Sequence, residues 1–254
     1  MVTDNPASTE QADFGFERLP WHEKKPRVNA VFDSVADRYD LMNDVMSLGL
    51  HRLWKWFLLT KTGLKPGQTA LDVAAGSGDL SAGLIRQVGR HGRVLVTDIN
   101  RRMLESGRDR LLDMGAAGNV DYLLADAEAL PLKDRSVHCV TIGFGLRNVT
   151  DKNAALKSMW RVLKPGGRLL VLEFSKLRLA ALEPLYDLYS FQVLPRLGEW
   201  LVGDAASYRY LAESIRRHPD QQTLANMLAE QGFERCEYFN LSAGIVALHV
   251  GYRL

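Results

Sequence analysis

Two glycines and two aspartates lying close together in this chain could hold the sugar of a nucleoside. Gly76 and Gly78 sit in the run Leu71-Asp72-Val73-Ala74-Ala75-Gly76-Ser77-Gly78-Asp79, and Asp98 ends the run Arg93-Val94-Leu95-Val96-Thr97-Asp98. Glycine has no Cβ, so the backbone can turn tightly there and a ligand can approach it closely. Asp98 follows the turn at about the twenty-residue spacing at which a strand-end carboxylate takes ribose hydroxyls. Asp72 lies inside the first strand, where a buried acid needs hydrogen-bond donors; it reads also as a structural acid that holds the glycine loop. Asp126-Ala127 follows a third strand, where an aspartate can equally cap a turn. The third glycine of a dinucleotide fingerprint is replaced by Ser81. That turns the reading away from a nicotinamide cofactor.

The elements that must position these residues alternate. Strands at 69–74, 93–98, 120–125, 137–143 and 168–174 are separated by helices at 79–88, 101–114 and 151–163. Such alternation predicts βαβ units and a doubly wound, mostly parallel sheet. Lys164-Pro165-Gly166-Gly167 marks a turn. Two strand-like runs, 233–240 and 244–252, predict a terminal antiparallel hairpin. Before the sheet, residues 1–26 read as a polar, loosely ordered tail with Phe14 and Phe16 as anchors. Residues 27–66 read as a helical cap, either packed on a sheet edge or acting as a lid over substrate. Residues 177–215, interrupted by Pro184 and Pro195, break the alternation and read as a helical insertion within one domain of residues 27–254.

Composition narrows the class. The chain has 254 residues and a formal charge of +2, so there is no bulk electrostatic case for nucleic acid. Cys139 and Cys236 are far apart and six histidines are scattered, without metal-ligand spacing. No apolar run is long enough to span a membrane, and no signal peptide is evident, so a reduced, cytoplasmic setting is expected.

Strand acid, Gly-x-Gly, strand-end acid and Asp126-Ala127 in that order resemble the S-adenosylmethionine-dependent methyltransferase superfamily. Further runs resemble the ubiquinone/menaquinone biosynthesis C-methyltransferase family: Val31-Phe32-Asp33-Ser34-Val35-Ala36-Asp37-Arg38-Tyr39-Asp40 through Asp44, Ser47 through Lys55, Phe144-Gly145-Leu146-Arg147-Asn148-Val149-Thr150-Asp151, Arg161 through Gly167, and Ser207-Tyr208-Arg209-Tyr210-Leu211. The similarity runs from about residue 13 to the end.

The resemblance implies a seven-stranded Rossmann-like class I methyltransferase and S-adenosyl-L-methionine as cofactor. It assigns cofactor contacts to Asp72, Gly76, Ser77, Gly78, Asp98, Ile99, Asp126, Ala127 and Gly143. It implies methyl transfer to a ring carbon of a prenylated quinol, a demethylmenaquinol or a polyprenyl methoxybenzoquinol. A quinol carbon is a weak nucleophile until a ring hydroxyl ionises, and a free phenol has a pKa of about 10. A base or a cation beside the phenolate is therefore needed. Arg147 is expected to stabilise the phenolate or hold a water, Asn148 to bond the quinol oxygen, and Tyr39 is a third catalytic candidate. Arg147 reads also as a loop-fixing ion pair, Tyr39 as a packing residue, and His51 as an ordinary helix-surface residue. Leu185, Tyr186, Leu188, Tyr189 and Val193 could form one apolar face for a prenyl tail, a peripheral membrane contact, a dimer or other quinone-biosynthesis enzymes. Ala74-Ala75, His138 and Gly143 depart from the family pattern, the last where relatives often carry serine. A methyltransferase of another small aromatic substrate and a non-catalytic scaffold are the alternatives.

Overall fold

The computed structural model describes residues 11–35, 39–116, 118–178, 184, 188–193, 196, 199 and 205–254. Its centre is a seven-stranded sheet. Chain order gives β1 (Gln11–Phe14), β2 (Glu17–Pro20), α1 (Trp21–Val35), α2 (Tyr39–Ser47), α3 (His51–Lys61), β3 (Thr69–Val73), α4 (Asp79–Val88), β4 (Arg93–Asp98), α5 (Arg101–Asp113), β5 (Val120–Leu124), β6 (Val137–Gly143), α6 (Lys152–Val162) and β7 (Leu163–Phe174). Then follow α7 (Ala205–Arg217), α8 (Gln221–Glu230), β8 (Glu234–Leu241) and β9 (Val246–Tyr252).

The sheet order is β5-β4-β3-β6-β7-β9-β8. Strands β5, β4, β3, β6 and β7 pair in parallel, whereas β9 is antiparallel to both β7 and β8. The order of succession reverses at β3, with β4 and β5 on one side of it and β6 and β7 on the other. Open α/β sheets bind ligands outside the carboxyl ends of their strands at that point.

Alternation along β7 explains its burial on both faces. Leu170, Leu172 and Phe174 join a core under α1, α3 and α7, while Leu169 and Val171 join the opposite core with Leu156 and Met159 of α6 and Leu224 and Leu228 of α8. A parallel sheet covered on both faces needs such a continuous apolar run. The turn expected at Lys164–Gly167 is a bulge within β7: Val137 pairs with Leu163, and the next pair is Cys139 with Arg168. Gly166, at φ 81°, makes it.

The N-terminal region differs from the loosely ordered tail expected up to residue 26. Residues 11–20 form a two-stranded antiparallel hairpin, and α1 begins at Trp21. The hairpin is fastened late in the chain: the Phe16 amide donates to Oε2 of Glu213 in α7 at 3.1 Å, and Phe14 stacks on Tyr210 at 4.2 Å. Short-range patterning could not reveal partners about 200 residues away. His51, expected on a helix surface, is buried, with Nε2 2.8 Å from Oδ1 of Asp44. Among the described residues no helix is long and apolar enough to cross a membrane.

Candidate active site

Two adjoining depressions open at the carboxyl ends of β3, β4 and β6. The larger cleft has Val73, Ala74 and Gly76 from β3 and its turn, Asp98, Ile99 and Asn100 after β4, and Ala125 to Glu128 after β5. Phe144, Gly145, Asn148, Val149 and Thr150 follow β6 into it. Helix α1 closes the far side with Lys25, Val28, Asn29 and Phe32. The first cap helix therefore roofs this cleft, while α3 packs against α4.

Asp98 is the polar centre. Its Oδ2 accepts from the Gly76 amide at 2.9 Å and its Oδ1 from the Asn100 amide at 2.8 Å. Each carboxylate oxygen carries two lone pairs, so capacity is left for ligand hydroxyls. Burial pushes its pKa up despite those amides. Asn100 caps α5 through the Met103 amide and bonds Oδ1 of Asp33 at 2.8 Å, tying the cleft to α1. Asp126 caps the short turn at Ala127–Ala129 and, with Glu128, grips Lys25 at 2.6 and 2.7 Å. Val28, Phe32, Ile99 and Met103 supply apolar walls suited to a planar base.

The smaller depression lies on the other side of the glycine turn, lined by Lys55, Asp72, Ala74, Ala75, Ser77, Asp79, Leu80 and Gly143. Asp72 is fully buried and accepts from Ser81 Oγ at 2.6 Å and Thr141 Oγ1 at 2.7 Å. Burial pushes its carboxyl up to about 6 against those hydroxyls. Ser81, which spoils the dinucleotide fingerprint, thus serves the strand acid. Burial works against the ionised Asp79, but Lys55 and Arg110 outweigh it and hold its carboxyl below the usual range. Gly78, at φ 79°, is the N-cap of α4 and stands behind the pocket against Leu111. Ala74 takes φ 50° and Phe144 φ 59°, left-handed values that disfavour side-chain-bearing residues. Both line the cleft, where such strain concentrates.

Of the three catalytic candidates, Asn148 lines the cleft. Arg147 stands behind it, beyond the cleft lining. Its guanidinium meets Oε1 of Glu173 at 2.8 Å and the Phe144 carbonyl, and lies over the Phe174 ring at 5.4 Å. The two side chains are 5% and 1% exposed, so this is a buried ion pair fixing the loop after β6. Tyr39 opens α2, and its side chain lies outside the described residues, as do Leu185 and Tyr186 of the expected apolar face. Leu188 and Val193 are exposed, and Tyr189 donates to the Val45 carbonyl at 2.7 Å.

Sequence reasoning missed Lys25, Asn29, Phe32, Asn100, Met103 and Glu128 in the cleft. Asn100 carried a readable signal, an N-cap residue directly before a helix; the α1 residues had none. Cys139 is buried in β6 with its thiol pushed up to about 12 by burial, so it is no nucleophile. Phe144, Phe174 and Trp54 pack at 5.0 to 6.2 Å and form a wall behind the cleft. On its far side an apolar groove runs between Met46, Leu48, Leu50, Trp54, Tyr189, Ile215 and Ile245.

Comparison with known proteins agrees with this architecture. Residues 21–253 match the model of the ubiE/COQ5 methyltransferase family. The ubiquinone/menaquinone biosynthesis C-methyltransferase UbiE of Escherichia coli O1:K1 is 56% identical over 246 residues, covering 97% of this chain and 98% of that one. The protein of the same name from Legionella pneumophila is 55% identical over 240 residues, 94% and 96% of the two chains. Among solved structures, a SAM-dependent methyltransferase from Aquifex aeolicus superposes with a TM-score of 0.60 at 18% identity, over 84% of this chain and 98% of that one.

Proposed function

The chain belongs to the ubiE/COQ5 methyltransferase family, and from that premise we propose how its clefts serve methyl transfer from S-adenosyl-L-methionine to a ring carbon of a prenylated quinol in ubiquinone or menaquinone synthesis. The observation that carries the reading is the cleft itself, with Asp98 and the glycine turn on one wall and Asn148 on the other. The residues fit the cofactor: Asp98 has lone pairs for ribose hydroxyls, and Ile99, Met103 and Ala127 flank a slot for adenine. Gly76, Ser77, Asp72 and Gly143 border the methionine portion. Bound there, the cofactor supplies an activated sulfonium methyl.

The protein's own task is alignment and charge. The acceptor carbon must lie in line with the methyl, with water excluded. Helix α1 and Phe144 provide that enclosure. Asn148 donates through Nδ2 to the quinol oxygen, and Arg147, paired with Glu173, holds the loop that presents it. Tyr39 is retained as a candidate to complete this set. The prenyl tail lies in the apolar groove past Trp54 and Phe174, and the exposed Leu48 and Leu50 at its rim rest on the membrane that carries such quinols.

The test is calorimetric titration with S-adenosylmethionine and with NAD, followed by methyl-transfer assays on demethylmenaquinol and a prenylated methoxybenzoquinol. S-adenosylmethionine should bind and a quinol should be methylated. Heat with NAD alone would end the reading.

A further inference from the structure

Among its described lining residues the larger cleft offers neutral donors such as Asn148 but no uncommitted cation for an amino-acid carboxylate. The cation among its lining residues, Lys25, is clamped by Asp126 and Glu128 at 2.6 and 2.7 Å, beside the loop that borders the adenine slot. The methionine portion of the cofactor carries both an ammonium and a carboxylate. It needs a place that offers both signs of charge. The smaller depression does so, with the carboxylate of Asp72 on one side and the ammonium of Lys55 on another, and it shares Ala74 with the main cleft.

We infer that Lys55, reaching in from α3, binds the α-carboxylate of the cofactor's methionine portion, so that the N-terminal helices form part of the cofactor site. This rests on the S-adenosylmethionine reading above. The local charges support it. Lys55 Nζ lies 2.7 Å from Oδ2 of Asp79, whose Oδ1 is held at 2.6 Å by Nη1 of Arg110. An ammonium has three donors, so Lys55 can keep Asp79 and still offer two N–H groups to a ligand. Arg110 keeps Asp79 neutralised when that happens. The Lys55 side chain is 13% exposed, and a charge withdrawn from water to that degree acts on its partner with little screening. Trp54 and Leu58 of the same helix are buried in the core and hold its orientation. The methionine carboxylate thereby becomes the link through which cofactor occupancy and the seating of α3 reinforce each other.

The experiment is calorimetric titration of the full chain and of Lys55→Met and Lys55→Arg with two ligands, S-adenosylmethionine and decarboxylated S-adenosylmethionine, which lacks only the carboxylate. A charge-assisted hydrogen bond corresponds to roughly 10- to 100-fold in affinity. The unmodified chain should prefer the carboxylated ligand by about that factor. Lys55→Met should lose that factor for S-adenosylmethionine and change by less than twofold for the decarboxylated form, while Lys55→Arg keeps most of the preference. Equal weakening of both ligands in Lys55→Met would mean a structural residue and overturn the inference. So would an unmodified chain that binds both ligands equally well, a result that needs no variant to fold. Failure of the unmodified chain to bind either ligand would overturn the cofactor reading itself, and this inference with it.

Discussion

The Tyr210 hydroxyl donates to Oδ1 of Asn148 at 3.1 Å, joining α7 to the loop after β6. With its oxygen occupied, the Asn148 amide presents Nδ2 as a donor along the cleft. The site therefore suits an acceptor oxygen, as a phenolate is. Burial raises the Tyr210 pKa well above the ordinary phenol value, so it stays a donor across the working range. Tyr210→Phe keeps the stack on Phe14 but frees the amide to flip. A neutral hydrogen bond accounts for about 1 kcal/mol, so kcat/KM for the quinol should fall by roughly five- to tenfold with S-adenosylmethionine affinity unchanged. Steady-state kinetics beside calorimetry would decide it, and unaltered turnover would remove Tyr210 from this role.

Arg147 and Glu173 form a buried pair, and removing one partner of such a pair costs about 3–5 kcal/mol. Arg147→Ala should cut turnover, leave cofactor affinity nearly unchanged and lower stability by that order. Arg147→Met with Glu173→Gln should recover much of the stability. If turnover stays low in the recovered protein, the Arg147 charge acts in the chemistry as well as in the fold. If turnover returns with stability, its role is structural. Urea denaturation and the methyl-transfer assay together separate the two.

Asp72 and His249 oppose each other in acid. Asp72 has its carboxyl raised to about 6 by burial, so the folded state binds its proton more tightly than the unfolded one, and its contribution to stability falls as pH rises from about 4 to about 6. Burial lowers His249 to about 4, so the folded state excludes its proton, and stability falls as pH drops from about 6.5 to about 4. His218 is buried and shifted in the same direction as His249. Asp72→Asn removes the opposing member. The variant should be more stable than the unmodified chain at pH 7, by about 1–3 kcal/mol. It should then lose stability more steeply between pH 6.5 and 4. Parallel stability curves for the two proteins would contradict this account.

Gly107 lies inside α5, where glycine normally weakens a helix. A Cβ there would collide with the carbonyl oxygen of Gly76 and press on Ser77. Gly107→Ala should therefore displace the glycine turn and weaken S-adenosylmethionine binding by roughly tenfold or more, although residue 107 lines neither depression. Calorimetry reads the affinity, and circular dichroism shows whether α5 is retained.

The sheet was legible because its signals are local: short continuous apolar strands, helices of intermediate length, and Pro or Gly at the joints. Asp98 and the glycine turn were legible for the same reason, since their spacing follows from one βαβ unit. What escaped depended on chain folding back over long distances. Lys25 meets Asp126 about a hundred residues away, and Phe16 meets Glu213 about two hundred away. The position of Arg147 was read correctly as following β6, but its partner Glu173 sits in β7 as one polar residue in an apolar run, and no spacing rule links the two. Ala74 at φ 50° shows the converse: its departure from the family pattern was visible, yet its backbone strain belongs to the folded geometry.

The placing of β9 between β7 and β8 has a consequence for how the chain emerges during synthesis. When β8 has been made, β7 still presents an open edge, and neither strand has its native neighbour until β9 arrives between them. An unpaired, apolar edge invites association with other chains. A chain truncated just before residue 246 should therefore leave the β7 edge open and associate with other chains, whereas one that extends through Tyr252 should not.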